Sequence, residues 1–171
     1  MAKAIMDELI KAFRGSIGGL VFRQMRNGSV VVSMRPHFHR RRFSQAQKDH
    51  QSRFKEASQY ARFAAKSQPI YTERARGTLK TAYNIALSDW FNPPVIHQIE
   101  WRDGQIRVEA RDDVLVTKVQ VTVLDEGGQV LEKGEATRSN GDWWELASHT
   151  QGTMLIAEAW DLAGHVGRLV S

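Results

Sequence analysis

Apolar residues recur along this chain with two periods, and the change falls at Asn92-Pro93-Pro94. Before it the dominant spacing is helical, interrupted by one β-rich stretch; after it the spacing is two. Ile5, Met6, Leu9, Ile10 and Phe13 form one apolar stripe, predicting a short helix over residues 3–13 that needs a surface to lie on. Arg14-Gly15-Ser16-Ile17-Gly18-Gly19 breaks it. From Leu20 to Arg35, Asn27-Gly28 separates two β-rich runs and predicts a hairpin with a two-residue type I′ turn. That turn sets Met25 opposite Val30, Arg23 opposite Val32 and Val21 opposite Met34, with Leu20, Phe22 and Val31 on the other side. Both faces are then largely apolar. A lone hairpin is marginal in water, so both faces are expected to need cover from the chain's own helices or from another copy.

Ser44 and Gln47 match a capping box, opening a helix to about Lys66 with Phe54, Ala57, Ala61 and Ala64 as its narrow stripe. Ser67-Gln68-Pro69 punctuates, and Pro69 suits the first turn of a second helix to about Phe91. Its expected buried side chains are Tyr71, Ala75, Leu79, Tyr83, Ala86 and Trp90, with Gly77 able to split or bend it. A helical hairpin is the expected product. Beyond Pro94, seven short strands follow, at 95–101, 105–111, 117–124, 129–136, 143–147, 153–160 and 166–170. Turn signals such as Asp103-Gly104, Glu126-Gly127-Gly128 and Asn140-Gly141 fall between them. This spacing predicts a small antiparallel sandwich. The expected fold is α+β in two domains. Residues 1–92 form a helix, β-hairpin and helical hairpin, and residues 93–171 an all-β immunoglobulin-like sandwich.

Charge divides at the same place. Residues 1–92 hold 17 Lys+Arg against 6 Asp+Glu, a net of +11, while residues 93–171 hold 7 against 13, a net of −6. Net charge bears on association, not on fold, so the division points to modules with different partners. With Cys 0 the chain has no disulfide, no thiolate metal site and no cysteine nucleophile. Asp7 and Glu8 interrupt the apolar N-terminal stretch, unlike a secretory signal, and no window approaches the ~20 apolar residues of a membrane span. The expectation is cytoplasmic synthesis without a signal peptide, with a final place in a virion or an extracellular assembly left open.

The second half resembles a bacterial immunoglobulin-like or fibronectin-III-like domain. The resemblance is carried by Val119–Asp125, the Gly127-Gly128 turn, Val130–Gly134, Gly141-Asp142-Trp143-Trp144 and Ala157–His165 with its Asp161-x-x-Gly164-His165 turn. It implies a fold and no activity. Through Gly15–Ser33, Gln45–Ala57 and Thr81-Ala82-Tyr83-Asn84, the first half resembles a family of uncharacterised bacterial proteins with a glycine-led hairpin, a basic linker and helices.

The foremost candidate for function is the basic stretch of Arg23, Arg26, Arg35, Arg40, Arg41 and Arg42. Clustered guanidinium groups neutralise phosphates, and Phe38 and Phe43 offer rings for unpaired bases; the same charges equally suit an acidic protein surface. His37 and His39 share a side of an extended segment but lack further ligands beyond His50 or Asp49, so no metal is expected. Gly15–Gly19 lacks the Lys-Ser/Thr ending of a phosphate loop, and Asn27-Gly28-Ser29 is a glycosylation sequon only in form. Trp143 and Trp144 point to opposite faces of one strand, one of them a possible exposed aromatic; carbohydrate is not the expected partner. Asp112-Asp113 reads as a solvated turn. No nucleophile elbow or zinc-protease motif is present, so no catalytic residue and no cofactor is expected.

The expected function is therefore a non-enzymatic structural or interaction protein that self-associates, as a virion, filament or surface-assembly subunit does. Its contact surface would be the hairpin residues Leu20, Val21, Phe22, Met25, Val30, Val31, Val32 and Met34. The alternative is a nucleic-acid-binding protein using the basic half.

Overall fold

A computed structural model describes residues 2–3, 15–25, 27–37, 42–102, 104–148 and 150–171. The chain has a mixed α+β fold and divides into two compact units, Met1–Ser52 and Arg53–Ser171. The change of period at Pro93-Pro94 therefore lies inside the second unit, while the unit boundary falls within a helix.

In the first unit, strands β1 (Ala2–Lys3), β2 (Gly15–Ile17), β3 (Leu20–Gln24) and β4 (Val30–Met34) form an antiparallel sheet in the order β1-β4-β3-β2. Apart from Lys3, which lies in β1, the helix expected over residues 3–13 lies outside the described residues. The glycine cluster becomes structured: Ile17 pairs with Leu20 across Gly18-Gly19, and Gly18 takes a positive φ of 59°.

The β3–β4 turn corrects the expected register. Met25 N–H donates to the Ser29 carbonyl at 2.8 Å, and Gly28 N–H to the Met25 carbonyl at 3.0 Å. Three residues thus lie between the closing pair instead of two. Gly28 sits at φ 79° and Asn27 Oδ1 accepts from Ser29 N–H at 3.1 Å, as in a three-residue loop closed by a left-handed glycine. The odd loop shifts the pairing by one, so Phe22 opposes Val32 and Arg23 opposes Val31. A one-residue shift reassigns every side chain to a face. The result is not two apolar faces. Ile17, Leu20, Phe22, Val30, Val32 and Met34 share one face, while Ser16, Val21, Arg23, Val31 and Ser33 share the other.

Helix α1 (Gln45–Ser67) opens with the expected reciprocal cap: Ser44 N–H donates to Gln47 Oε1 at 3.0 Å and Gln47 N–H to Ser44 Oγ at 3.3 Å. Ala57, Ala61 and Ala64 are its buried stripe. The second expected helix is two helices, α2 (Pro69–Ala75) and α3 (Ala82–Phe91), divided at Gly77 with φ 72°. Thr81 caps α3 by accepting from Asn84 N–H at 3.1 Å. Leu79 falls in the break and is exposed, contrary to the continuous-helix reading.

All seven expected strands form: β5 (Val95–Arg102), β6 (Gln105–Arg111), β7 (Lys118–Leu124), β8 (Val130–Arg138), β9 (Trp143–Ala147), β10 (Met154–Trp160) and β11 (Val166–Val170). They make one antiparallel sheet ordered β11-β10-β7-β8-β9-β6-β5 that curls close to a barrel. β8 and β9 meet only through Thr137 with Glu145 and Arg138 with Trp144, a short seam in the ring. β11 closes on the other end of the sheet, where a Cβ on Gly167 would run into the Pro94 carbonyl. Inside lie Ile106, Val108, Val119, Val121, Val123 and Trp144, supplied by alternate positions of each strand.

A second apolar cluster joins the helices to this sheet within the same unit. Ala61, Ala64, Tyr71 and Ala86 bury against Val114, with Leu115 and Leu162 packed around them. Val114 and Leu115 belong to the β6–β7 connection and Leu162 to the β10–β11 connection, so the helices cover one end of the sheet. Among the described residues no helix is long and apolar enough to cross a membrane.

Candidate interaction surface

The corrected register concentrates the first unit's apolar side chains into rows. Ile17, Leu20 and Met34 align across β2, β3 and β4, and remain 56%, 43% and 78% exposed. Phe22 and Val32 form the next row and are half-buried, while Val30 is buried. Neighbouring strands lie about 4.8 Å apart, so the outer row is a continuous apolar strip. Contiguous exposed apolar surface marks contact sites far better than scattered apolar residues do. Of the other hairpin residues, Val21 and Val31 point to the opposite, mixed face, and Met25 is exposed at the loop.

The basic residues are less assembled. Arg23 is exposed on the mixed face, Arg35 follows β4, and Arg42 precedes the α1 cap. Arg26, Arg40 and Arg41 lie outside the described residues, as do Phe38 and His39. His37 is exposed, and among the described residues no three metal-ligating side chains converge. The first unit carries 10 Lys+Arg against 3 Asp+Glu, a net of +7, and the second 14 against 16, a net of −2. The basic helical segment after residue 52 thus shares a unit with the acidic strands.

The two tryptophans separate as alternation requires. Trp144 is core, 7% exposed. Trp143 is half-buried, and the Arg107 guanidinium lies 4.7 Å over its ring, itself held by Glu145 at 3.2 Å and Glu100 at 3.9 Å. The outer ring face is occupied by this ion pair, so neither tryptophan is a bare platform.

The residues that sequence reasoning missed lie where the helices meet the sheet. Tyr60 and Tyr71 hydroxyls are 2.6 Å apart, and Tyr71 donates to Asp89 Oδ2 at 2.6 Å. Asp89 is fully buried. Burial, and the negative charges of Asp112 and Asp161, push its carboxyl up to about 7, against the Tyr71 hydrogen bond that pulls it down. Burial and the carboxylate likewise push the Tyr71 hydroxyl up, and burial raises Tyr60. Asp112 is no solvated turn residue: its Oδ2 accepts from Val114 and Leu115 N–H, each at 2.8 Å. Asp161 is buried, holding His165 through N–H to Oδ1 at 2.7 Å and Nδ1 to Oδ2 at 3.1 Å. The signal for this cluster was an acid at position 89 on the same stripe as Ala82 and Ala86. No protein-family model and no curated protein matches the chain.

Proposed function

We propose that this chain is a non-enzymatic structural subunit that self-associates through the apolar face of its first unit, in the manner of a virion, filament or surface-assembly protein. The observation that carries this reading is the exposed Ile17–Leu20–Met34 row. Fully burying such side chains is worth about 1.5–3 kcal/mol each, and these are already partly covered, so the row supplies only a few kcal/mol. Association costs about 4–15 kcal/mol in lost freedom, so the row needs help. Backbone pairing along an outer strand such as β2 is a further source, since an outer strand offers a line of N–H and C=O groups to another strand. In the second unit, β5, β6 and β9 pair together, and β8, β7, β10 and β11 pair together. That grouping favours an immunoglobulin-like or fibronectin-III-like sandwich, which we assign the part of an outward-facing module.

Sedimentation of the full chain over a wide concentration range tests the proposal. The wild type is expected to form oligomers, and Leu20→Lys with Met34→Lys to shift it to monomer without loss of fold. A wild type that stays monomeric at every concentration sinks the reading.

The net of +7 on the first unit, with Arg23, Arg35 and Arg42 exposed, favours a second reading as a nucleic-acid-binding protein. Affinity for a mixed-sequence oligonucleotide would then fall steeply with salt as counterions are displaced. Absent or salt-insensitive binding removes that alternative.

A further inference from the structure

The helices and the near-barrel sheet of the second unit meet across a buried polar cluster with too few donors. Asp89 of α3 has one oxygen satisfied by Tyr71 of α2 and the other, Oδ1, buried without a donor. Across from it, Asp112 of the β6–β7 connection spends Oδ2 on two backbone N–H groups and also leaves Oδ1 buried without a donor. Among the described residues, the remaining groups facing Asp89 bring no cation to it. Tyr60 of α1 hydrogen-bonds Tyr71, and Asp161 of the β10–β11 connection adds a further carboxylate that is itself occupied with His165. Arg74 of α2 directs its guanidinium to the Val114 carbonyl at 2.9 Å. Two carboxylates that each bury an unpartnered oxygen in one cluster, both ionised, would suffer desolvation and mutual repulsion together. One proton placed between them gives both orphaned oxygens a partner and removes one charge.

We infer that Asp89 and Asp112 share a single proton, and that this proton latches the helices to the end of the seven-stranded sheet. Both orphaned oxygens belong to one cluster: Asp89 is held by Tyr71, Asp112 holds the Val114 N–H, and Val114 packs with Tyr71 and Ala86. The latch is independent of self-association through the first unit, since none of its members belongs to that unit. Its sign follows from proton linkage. The Asp89 carboxyl titrates at about 7 in the folded chain, against about 3.9 for an ordinary aspartate. Between those values the folded state holds a proton that the unfolded state has lost, so stability falls as pH rises through this window and levels off above it. The latch is tight in mild acid and loosened once the pH passes about 7, opposite to the usual behaviour of a buried acid paired with a cation.

The test uses the full chain labelled with ¹³C at aspartate carboxyl groups. One aspartate is expected to titrate near neutrality, assigned to Asp89 by its disappearance in Asp89→Asn, and its midpoint is expected to fall in Asp112→Asn. If every aspartate of the wild type titrates below about 5, the shared proton does not exist. Denaturation of wild type and Asp89→Asn from pH 4 to pH 8 supplies the second arm. An asparagine accepts from Tyr71 and donates to Asp112 without needing a proton. The unfolding constant of the wild type relative to the variant should therefore rise between about 10²- and 10³-fold across the window, as a shift near three units requires. Parallel profiles for the two proteins overturn the latch even if a neutral-range titration is seen.

Discussion

The two sheets of this molecule solve the problem of the apolar face in opposite ways. The seven-stranded sheet curls until β11 approaches the segment before β5, and Ile106, Val108, Val119, Val121 and Val123 are all at 0% exposure, sealed on the inside. The four-stranded sheet is built from strands of two to five residues and has an apolar face of the same chemistry. It leaves Met34 78% exposed. A sheet long enough to curl buries its own face, whereas a short one must borrow a surface. The difference places a sealed core in the second unit and exposed apolar surface in the first.

The comparison breaks most visibly at Trp144. Trp144→Ala should cost about 3–5 kcal/mol in urea unfolding of the second unit, because it empties a sealed core. Trp143→Ala, one residue away on the outer face, should cost about 1 kcal/mol, the loss of the Arg107 contact. Equal losses would mean that the sheet has no protected interior. Closure is tested next by Gly167→Ala, whose new methyl meets the Pro94 backbone carbonyl. A destabilisation of about 1–3 kcal/mol is expected from that overpacking, and a neutral result would show that the ring is open in solution.

The two capped helices sharpen the contrast at lower energy. Thr81→Ala and Ser44→Ala each remove an N-cap worth about 1 kcal/mol. In α3, which packs into the second cluster, the loss should appear in global unfolding. At the start of α1, where residues 45–52 are exposed, it should appear as faster hydrogen exchange of the first turn alone. Met34→Lys should have the smallest effect on stability, within about 0.5 kcal/mol, while removing oligomers. Those opposite readouts from one substitution would separate a face kept for association from one needed for folding.

Much of the fold was legible where local chemistry decides. The Ser44–Gln47 cap, the Gly77 break and the seven strands, most of them divided by glycine-containing turns, follow from short-range patterns. The β3–β4 turn was legible as a turn but not in register. Asn-Gly serves both a two-residue loop and the end of a three-residue loop, and which forms is settled by pairing along the whole strand. Of the candidate surface, Ile17 was missed because β2 is a three-residue strand inside a glycine-rich segment. Arg23 and Arg35 are exposed, as contacts for a charged partner must be, but the two-residue turn set Arg23 opposite Val32 and the observed pairing sets it opposite Val31.

By itself, the sequence determined the local elements and the change of period at Pro93-Pro94, because capping, glycine conformations and alternation act over a few residues. Tertiary structure alone decided that the helices after residue 52 belong with the strands, because their narrow alanine stripe buries against Val114, 50 residues and more away along the chain from Ala61 and Ala64. It also decided the fate of Asp89. An aspartate on a helix reads as a solvated charge until Tyr71, Asp112 and Asp161 arrive from other elements and exclude water from it.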